Sequence, residues 1–137
     1  MKRFRVIALL ALAGIATAGS LHAQSREVRA KIPFDFVVSG KQLPAGNYSF
    51  LSQPDEAMVI RNADQRVTVL SLTHDVSGTT TGTSRLVFNK YGDHYFLSEI
   101  LCPTIALNVE LPQSKQEKQI RSQQAFLGPD QVLLALN

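Results

Sequence analysis

The sequence predicts an all-β protein: a single antiparallel β-sandwich or small barrel of about seven or eight strands, followed by a C-terminal helix. Three observations predict this fold. Apolar side chains alternate along short segments, as they do on strands with one buried face. Turn-forming residues separate these segments at intervals of roughly 8 to 12 residues. The alternation stops at Ser114, where a helix start signal begins.

Residues 1–23 have the pattern of a secretory signal peptide. Three basic residues precede an apolar stretch from Val6 to Ala18, and we expect cleavage after Ala23. The apolar stretch is shorter than the roughly 20 residues that cross a bilayer, so an uncleaved anchor is the weaker alternative. We therefore expect an exported protein, periplasmic or extracellular, with no stable membrane span after cleavage.

The remaining chain is predicted to form one β-domain over residues 24–112, with residues 113–137 packed on it as a helix and a short apolar segment. Without the three basic residues of the leader, Lys and Arg equal Asp and Glu in number. A neutral chain without a basic cluster gives no reason to expect a nucleic-acid partner. Its single cysteine, Cys102, excludes an internal disulfide and is predicted to be a small apolar residue in a strand.

The first strand is predicted over residues 32–38, where Ile32, Phe34, Phe36 and Val38 share one face. The following Pro44-Ala45-Gly46 stretch has the residues of a chain reversal. Alternation resumes at Tyr48, so the segment is predicted to be a hairpin with a slightly long connection.

The same pattern predicts later strands at residues 58–61, 67–72, 85–91, 95–101 and 105–111. The run 67–72 is apolar on both faces, which favours a central strand covered on both sides. In the last strand Ile105, Leu107, Val109 and Leu111 are predicted to line one face. The segment 77–84 has no apolar residue and is predicted to be an exposed loop.

A helix is predicted from Lys115 to about Leu127, because Ser114-Lys115-Gln116-Glu117 is a capping box and Gly128-Pro129 is a stop signal. The apolar segment 132–136 then fits either an edge strand or a segment tucked into the core. Periodicity alone leaves both alternatives open.

No nucleophile elbow, phosphate loop or dinucleotide-binding motif occurs in the sequence, so we predict a non-enzymatic domain that requires no cofactor. Its predicted role is binding or assembly in the bacterial cell envelope, with an envelope protein or a glycan as partner. The candidate contact residues are Tyr91 and Tyr95 in an aromatic hairpin, Asn47 in the Pro44 turn, and Thr80 in the Thr-rich loop. Aromatic rings beside Gly and Asp can stack on sugars or pack against a protein.

Two alternatives remain. One is a small metal-assisted hydrolase, for which the pairs His74-Asp75 and Asp93-His94 supply the only histidines outside the leader. Adjacent residues on a strand point to opposite faces, which weakens each pair as a metal site. The other alternative is a barrel that binds a small apolar ligand, and this would require a lined cavity.

Three stretches, IPFDFVVSGKQLPAGNYSF, RLVFNKYGDHYFLSEI and ELPQSKQEKQI, resemble a family of small secreted bacterial proteins abundant in acidobacteria. The family pattern is IPFxFxVxGxxLPAGxY, LVFxxYGxxYFLxxI and a basic ExPxSxxE tail. The tail here is richer in glutamine than that pattern. The resemblance implies export and an all-β fold, and it implies no particular activity.

Overall fold

The computed structural model describes residues 26–78, 81–124 and 128–136, and these residues form the predicted all-β fold. The predicted leader, residues 1–23, and Thr80 lie outside the described residues. Eleven strands and one α-helix are present in the described ranges. Their bounds are β1 Glu27–Ile32, β2 Phe36–Val38, β3 Lys41–Leu43, β4 Gly46–Gln53, β5 Ala57–Asn62, β6 Thr68–Leu72, β7 His74–Asp75, β8 Arg85–Tyr91, β9 His94–Cys102, β10 Leu107–Glu110, α1 Lys115–Gln123 and β11 Asp130–Ala135.

The strands form two sheets, one of which curls into a half-barrel. The first sheet is antiparallel and has the order β1-β4-β5-β6. The second has the order β11-β8-β9-β10-β7, and the β2–β3 hairpin joins it through β9. The β2–β9 pair is parallel, with Val37 opposite Phe96, and the other pairs are antiparallel.

The core lies between the two sheets and is filled by inward-facing side chains. Phe36 is central: its ring meets Tyr48 at a centroid distance of 5.0 Å and Phe88 at 5.7 Å, both edge to face. Phe50 and Ile60 of the first sheet are also fully buried. In the described ranges, these side chains fill the space between the sheets, where the apolar-ligand alternative would place its ligand.

The prediction of one continuous strand over residues 32–38 is wrong. The chain pairs in the first sheet up to Ile32, then leaves it at Pro33 and enters the second sheet at Phe36. Proline lacks the N–H that continued pairing would need. The reversal lies at Ser39-Gly40, where both residues have positive φ, and not at Pro44.

Pro44 and Ala45 instead return the chain to the first sheet, where Gly46 begins β4 opposite Ile32. Oδ1 of Asp35 accepts a hydrogen bond from the Ala45 N–H at 2.9 Å, which ties the outgoing and returning crossings together. The predicted hairpin between residues 32–38 and the strand at Tyr48 is therefore not formed: β4 pairs with β1, and the β2–β3 hairpin lies in the connection between them.

The prediction of a central strand over residues 67–72 is also wrong. Strand β6 is the last strand of the first sheet, and only its inward face is buried. Val69 and Ser71 point inward, whereas Leu70 and Leu72 are 65% and 63% exposed. Apolar side chains at the outward positions of a strand occur both where that face is covered and where it is open to solvent, so the sequence pattern does not distinguish a central strand from an edge strand.

The predicted strand over residues 105–111 begins later than expected. Pro103–Ile105 forms a 3-10 helical turn, which ends at Ala106 in the left-handed conformation. Leu107, Val109 and Leu111 are buried on one face as predicted, but Ile105 is exposed because the turn carries it away from the sheet.

The C-terminal elements follow the sequence closely. Helix α1 begins after Ser114, whose Oγ accepts a hydrogen bond from the Glu117 N–H at 3.1 Å. The helix ends at Gln123, with Gln124 as its C-cap, which is earlier than the predicted end at about Leu127. Residues 125–127 lie outside the described ranges. Segment 130–135 is the edge strand β11 on β8, which decides between the two alternatives for the terminal apolar residues. Over the described residues, no helix has the length and apolar character needed to span a bilayer.

Candidate functional site

Helix α1 covers part of the outward face of the second sheet. Ile120 of the helix packs on Val37, Tyr91 and Phe96, which form a small apolar cluster separate from the main core. Tyr91 and Phe96 also meet edge to face at 5.8 Å. This face is therefore used for packing within the chain.

A buried polar contact lies beside that cluster. Glu117 is 4% exposed, and its Oε1 accepts hydrogen bonds from Nδ2 of Asn89 at 3.0 Å and from the Tyr91 hydroxyl at 3.4 Å. Burial raises the pKa of Tyr91, and the Glu117 carboxylate raises it further, while Arg121 opposes this increase. The phenol stays protonated and serves as a donor to the helix, so the contact is structural.

The outward face of the first sheet has no helix packed on it among the described elements. The strand register places Leu51, Val59 and Leu70 in one row and Ala57 beside Leu72 in the next. We call these five residues the apolar patch. Its two leucines on β6 are largely exposed and the other three residues are half-buried. Exposed apolar residues grouped in this way are typical of a surface that contacts another macromolecule.

Basic side chains lie beside the apolar patch on the same face. Arg29 and Arg61 are both opposite Ser49, one on each neighbouring strand, and Lys31 is opposite Asn47. Nε of Arg29 also contacts Oε1 of Glu27 at 3.0 Å. The face thus combines an apolar corner with a predominantly basic row.

A shallow depression of about 560 Å³ lies at the β1 and β4 end of this face. Its lining includes Arg29, Lys31 and Asn47, so one residue of the predicted contact set lies here. Asn47 is exposed, and its Nδ2 donates to Oδ2 of Asp64 at 3.4 Å. Asn47 is therefore on the open face, although the turn predicted around it is a crossing between sheets.

The position of Tyr91 contradicts the prediction that its ring contacts a ligand at the surface. Tyr91 is 2% exposed, and it lies under α1 with its hydroxyl directed at Glu117. A ring in this position cannot stack on a sugar at the surface. The sequence places Tyr91 next to a polar turn, but it does not show that the later helix folds back over that strand.

Tyr95 is half-buried at the edge of the main core. Phe34 stacks on its ring at a centroid distance of 4.0 Å and an interplanar angle of 17°. Nζ of Lys90 lies over the ring at 5.4 Å from the centroid. Since a stacked ring and an ammonium already contact it, Tyr95 offers little free aromatic surface for a sugar.

The residues of the hydrolase alternative lie in two separate places. His74 is opposite Glu110, which is opposite Glu99 of β9, whereas His94 begins β9. His74 is thus level with Glu99, which is five residues from His94 along β9, a distance of about 17 Å. Nδ1 of His74 lies 3.9 Å from Oε2 of Glu56, and both side chains are exposed. In the ranges 26–78, 81–124 and 128–136, no three His, Cys, Asp or Glu side chains are grouped to hold a metal ion.

Cys102 lies at the end of β9, buried and free, as predicted. Its Sγ is 3.2 Å from Oγ of Ser84 and 3.4 Å from Oγ1 of Thr104. Both hydroxyls are within hydrogen-bond distance of the thiol, so the residue has a packing role.

Comparisons with family models, curated proteins and solved structures gave no match to this chain. The candidate site therefore follows from the geometry alone. Within the described residues, the open face of the first sheet is where exposed apolar side chains, basic side chains and a predicted contact residue come together.

Proposed function

We propose that this chain is an exported, non-enzymatic β-domain that acts in the bacterial cell envelope by binding or assembly. The leader pattern in residues 1–23 supports export, and the resemblance to small secreted bacterial proteins agrees with it. The apolar patch on the first sheet is the observation that carries a binding role, because its two leucines are exposed to solvent.

The chemistry of the open face favours a protein partner over a glycan. Sugar recognition would need free aromatic faces, and Tyr91 is buried while Tyr95 already contacts Phe34 and Lys90. An apolar patch bordered by charged residues instead matches a protein contact surface, in which an apolar centre is surrounded by a polar rim.

Site-specific photo-crosslinking in the intact envelope tests this proposal. A photoreactive residue at position 72 lies in the apolar patch, and a matched one at the exposed position 116 lies on the opposite side of the fold, on α1. We expect a discrete protein adduct from position 72 and none from position 116. Equal labelling at both positions, or no adduct from position 72, would contradict the proposal.

A further inference from the structure

Within the part of the chain that the structure describes, strand β6 is paired on one side only, with β5, and its other backbone edge has no strand beside it. Two hydrogen bonds at the ends of the β5–β6 ladder define which residues face β5: the Asn62 N–H donates to the Val67 carbonyl at 2.9 Å, and the Thr73 N–H donates to the Glu56 carbonyl at 2.8 Å. In an antiparallel ladder the residues that exchange hydrogen bonds alternate with residues whose N–H and C=O point away. The backbone N–H and C=O groups of the odd-numbered residues of β6 therefore point toward β5.

Thr68, Leu70 and Leu72 consequently direct their N–H and C=O groups away from the sheet. Among the described residues, β5 is the only strand paired with β6, and none of the hydrogen bonds of turns and loops uses the N–H of these three residues. The Leu72 carbonyl accepts a hydrogen bond from Oγ of Ser71 at 3.1 Å and retains a second lone pair. The edge thus has the donors and acceptors that another strand requires.

The side chains on this edge do not protect it. Natural edge strands are commonly blocked by a charged residue, a proline or a bulge. Strand β6, Thr68–Leu72, has no charged residue and no proline, and its ladder with β5 is regular. Leu70 and Leu72 are exposed beside the free backbone groups. Such an edge is suited to pairing with a further strand.

The charges at the two ends of β6 are opposite in sign. The end near Thr68 has Arg61 and Arg66, with Asp64 on the same turn. The other end has four exposed titratable residues, three of them acidic: Asp55, Glu56, His74 and Asp75. An antiparallel strand of the same sequence would place the basic end of each copy at the acidic end of the other.

We propose that the partner of this edge is a second copy of the chain, paired antiparallel through β6 about a two-fold axis at Leu70. Leu70 then lies opposite Leu70 of the second copy, and Thr68 lies opposite its Leu72. All the outward backbone groups of the strand are used, and the two apolar patches become continuous. The contact is isologous, so it closes as a dimer and does not extend into a fibre.

This inference rests on the proposed assembly function and specifies its partner. The first test is the mass of the purified chain, expressed from its full sequence, by analytical ultracentrifugation over a range of concentrations. We expect a reversible monomer–dimer equilibrium. A monomer at all concentrations would overturn the inference.

Two leucine variants test the edge itself. Leu70→Lys places two ammonium groups opposite each other and should raise the dimer dissociation constant at least about tenfold. Leu133→Lys is the matched control, because Leu133 is 60% exposed on β11, the edge strand of the other sheet. It should leave the dimer unchanged, and far-UV circular dichroism should show that both variants are folded. Equal weakening by the two variants would contradict pairing through β6.

A charge exchange tests the antiparallel orientation. Arg66→Glu and Asp75→Lys should each weaken the dimer severalfold, and the combined variant should recover most of the affinity because the complementary charges are restored with reversed signs. If the combined variant is weaker than either single one, the antiparallel pairing is wrong. If position 72 forms an adduct with a different protein while the purified chain is monomeric, the second-copy inference fails and the proposed binding function stands.

Discussion

Glu117 on α1 accepts a hydrogen bond from Nδ2 of Asn89 on β8 at 3.0 Å, across the interface between the helix and the second sheet. The sequence assigns Glu117 to a capping box, in which its side chain would return to the start of the helix. Its carboxylate is instead buried and attaches the helix to the sheet. This contact holds α1 against the outer face of the second sheet, and no other described α-helix is present to cover the outer face of the first sheet.

Replacing Glu117 by alanine should destabilise the fold by about 1–3 kcal/mol, because Asn89 would become a buried donor without a partner. Glu117→Gln retains a carbonyl oxygen as acceptor and should cost less. Urea unfolding of the purified variants measures both effects. Gln116→Ala is the control, since Gln116 is exposed on the same helix. A loss for Gln116→Ala as large as for Glu117→Ala would show that the buried contact does not contribute.

Ser114→Ala should destabilise the start of α1 by about 1 kcal/mol, because the Glu117 N–H loses its acceptor. Ser122→Ala is a matched change on the same helix, where the hydroxyl donates to the Gln119 carbonyl at an exposed site. It should have a much smaller effect. Thermal unfolding followed at 222 nm compares the two variants, and equal shifts would contradict a specific role for the cap.

The stability of the fold should decrease at alkaline pH partly through Tyr91. Burial and the Glu117 carboxylate raise its pKa above the ordinary value of 10.0, so the folded state retains the phenolic proton more strongly than the unfolded chain does. This contribution is complete below pH 10 and is lost as the pH rises through the raised pKa. The pKa of Tyr48 is also raised, because burial and the Asp35 charge outweigh the side-chain hydrogen bond with Asn62, which lowers it.

Urea unfolding between pH 8 and 11 tests this expectation. Tyr91→Phe and Tyr48→Phe cannot ionise, so each should flatten the decrease in the free energy of unfolding, and the double variant should flatten it more. The other titrating groups are the same in all four proteins. Parallel pH curves for the wild-type protein and the double variant would mean that neither phenol contributes.

Local patterns predicted the elements of the fold well. The alternation in residues 85–101 and the glycine at position 92 predict the β8–β9 hairpin, because strand and turn depend on neighbouring residues. Strand β1 was missed although Val28, Ala30 and Ile32 alternate with three charged residues, so the signal was present. The crossing at Pro33 could not be predicted, since the choice between two sheets depends on contacts distant in sequence.

The open face was harder to predict than the strands. Leu70 and Leu72 form, with their neighbours, a run that is apolar on both faces, which is equally compatible with a covered central strand and with an exposed edge. Which one occurs depends on strand order. Tyr91 was assigned to the surface for a similar reason, because its burial depends on how α1 folds back.

The pairing of β11 with β8 leads to a prediction about two adjacent leucines. Leu134 faces inward and packs against the main core, whereas Leu133 points outward and is 60% exposed. Leu134→Asp should destabilise the fold by about 2 kcal/mol or more, because it removes apolar burial and places a charge at the edge of the core. Leu133→Asp should change stability by less than about 0.5 kcal/mol. Chemical unfolding of both variants measures the difference. If β11 were not paired in this register, a shift by one residue would exchange the two faces and reverse the order of the effects.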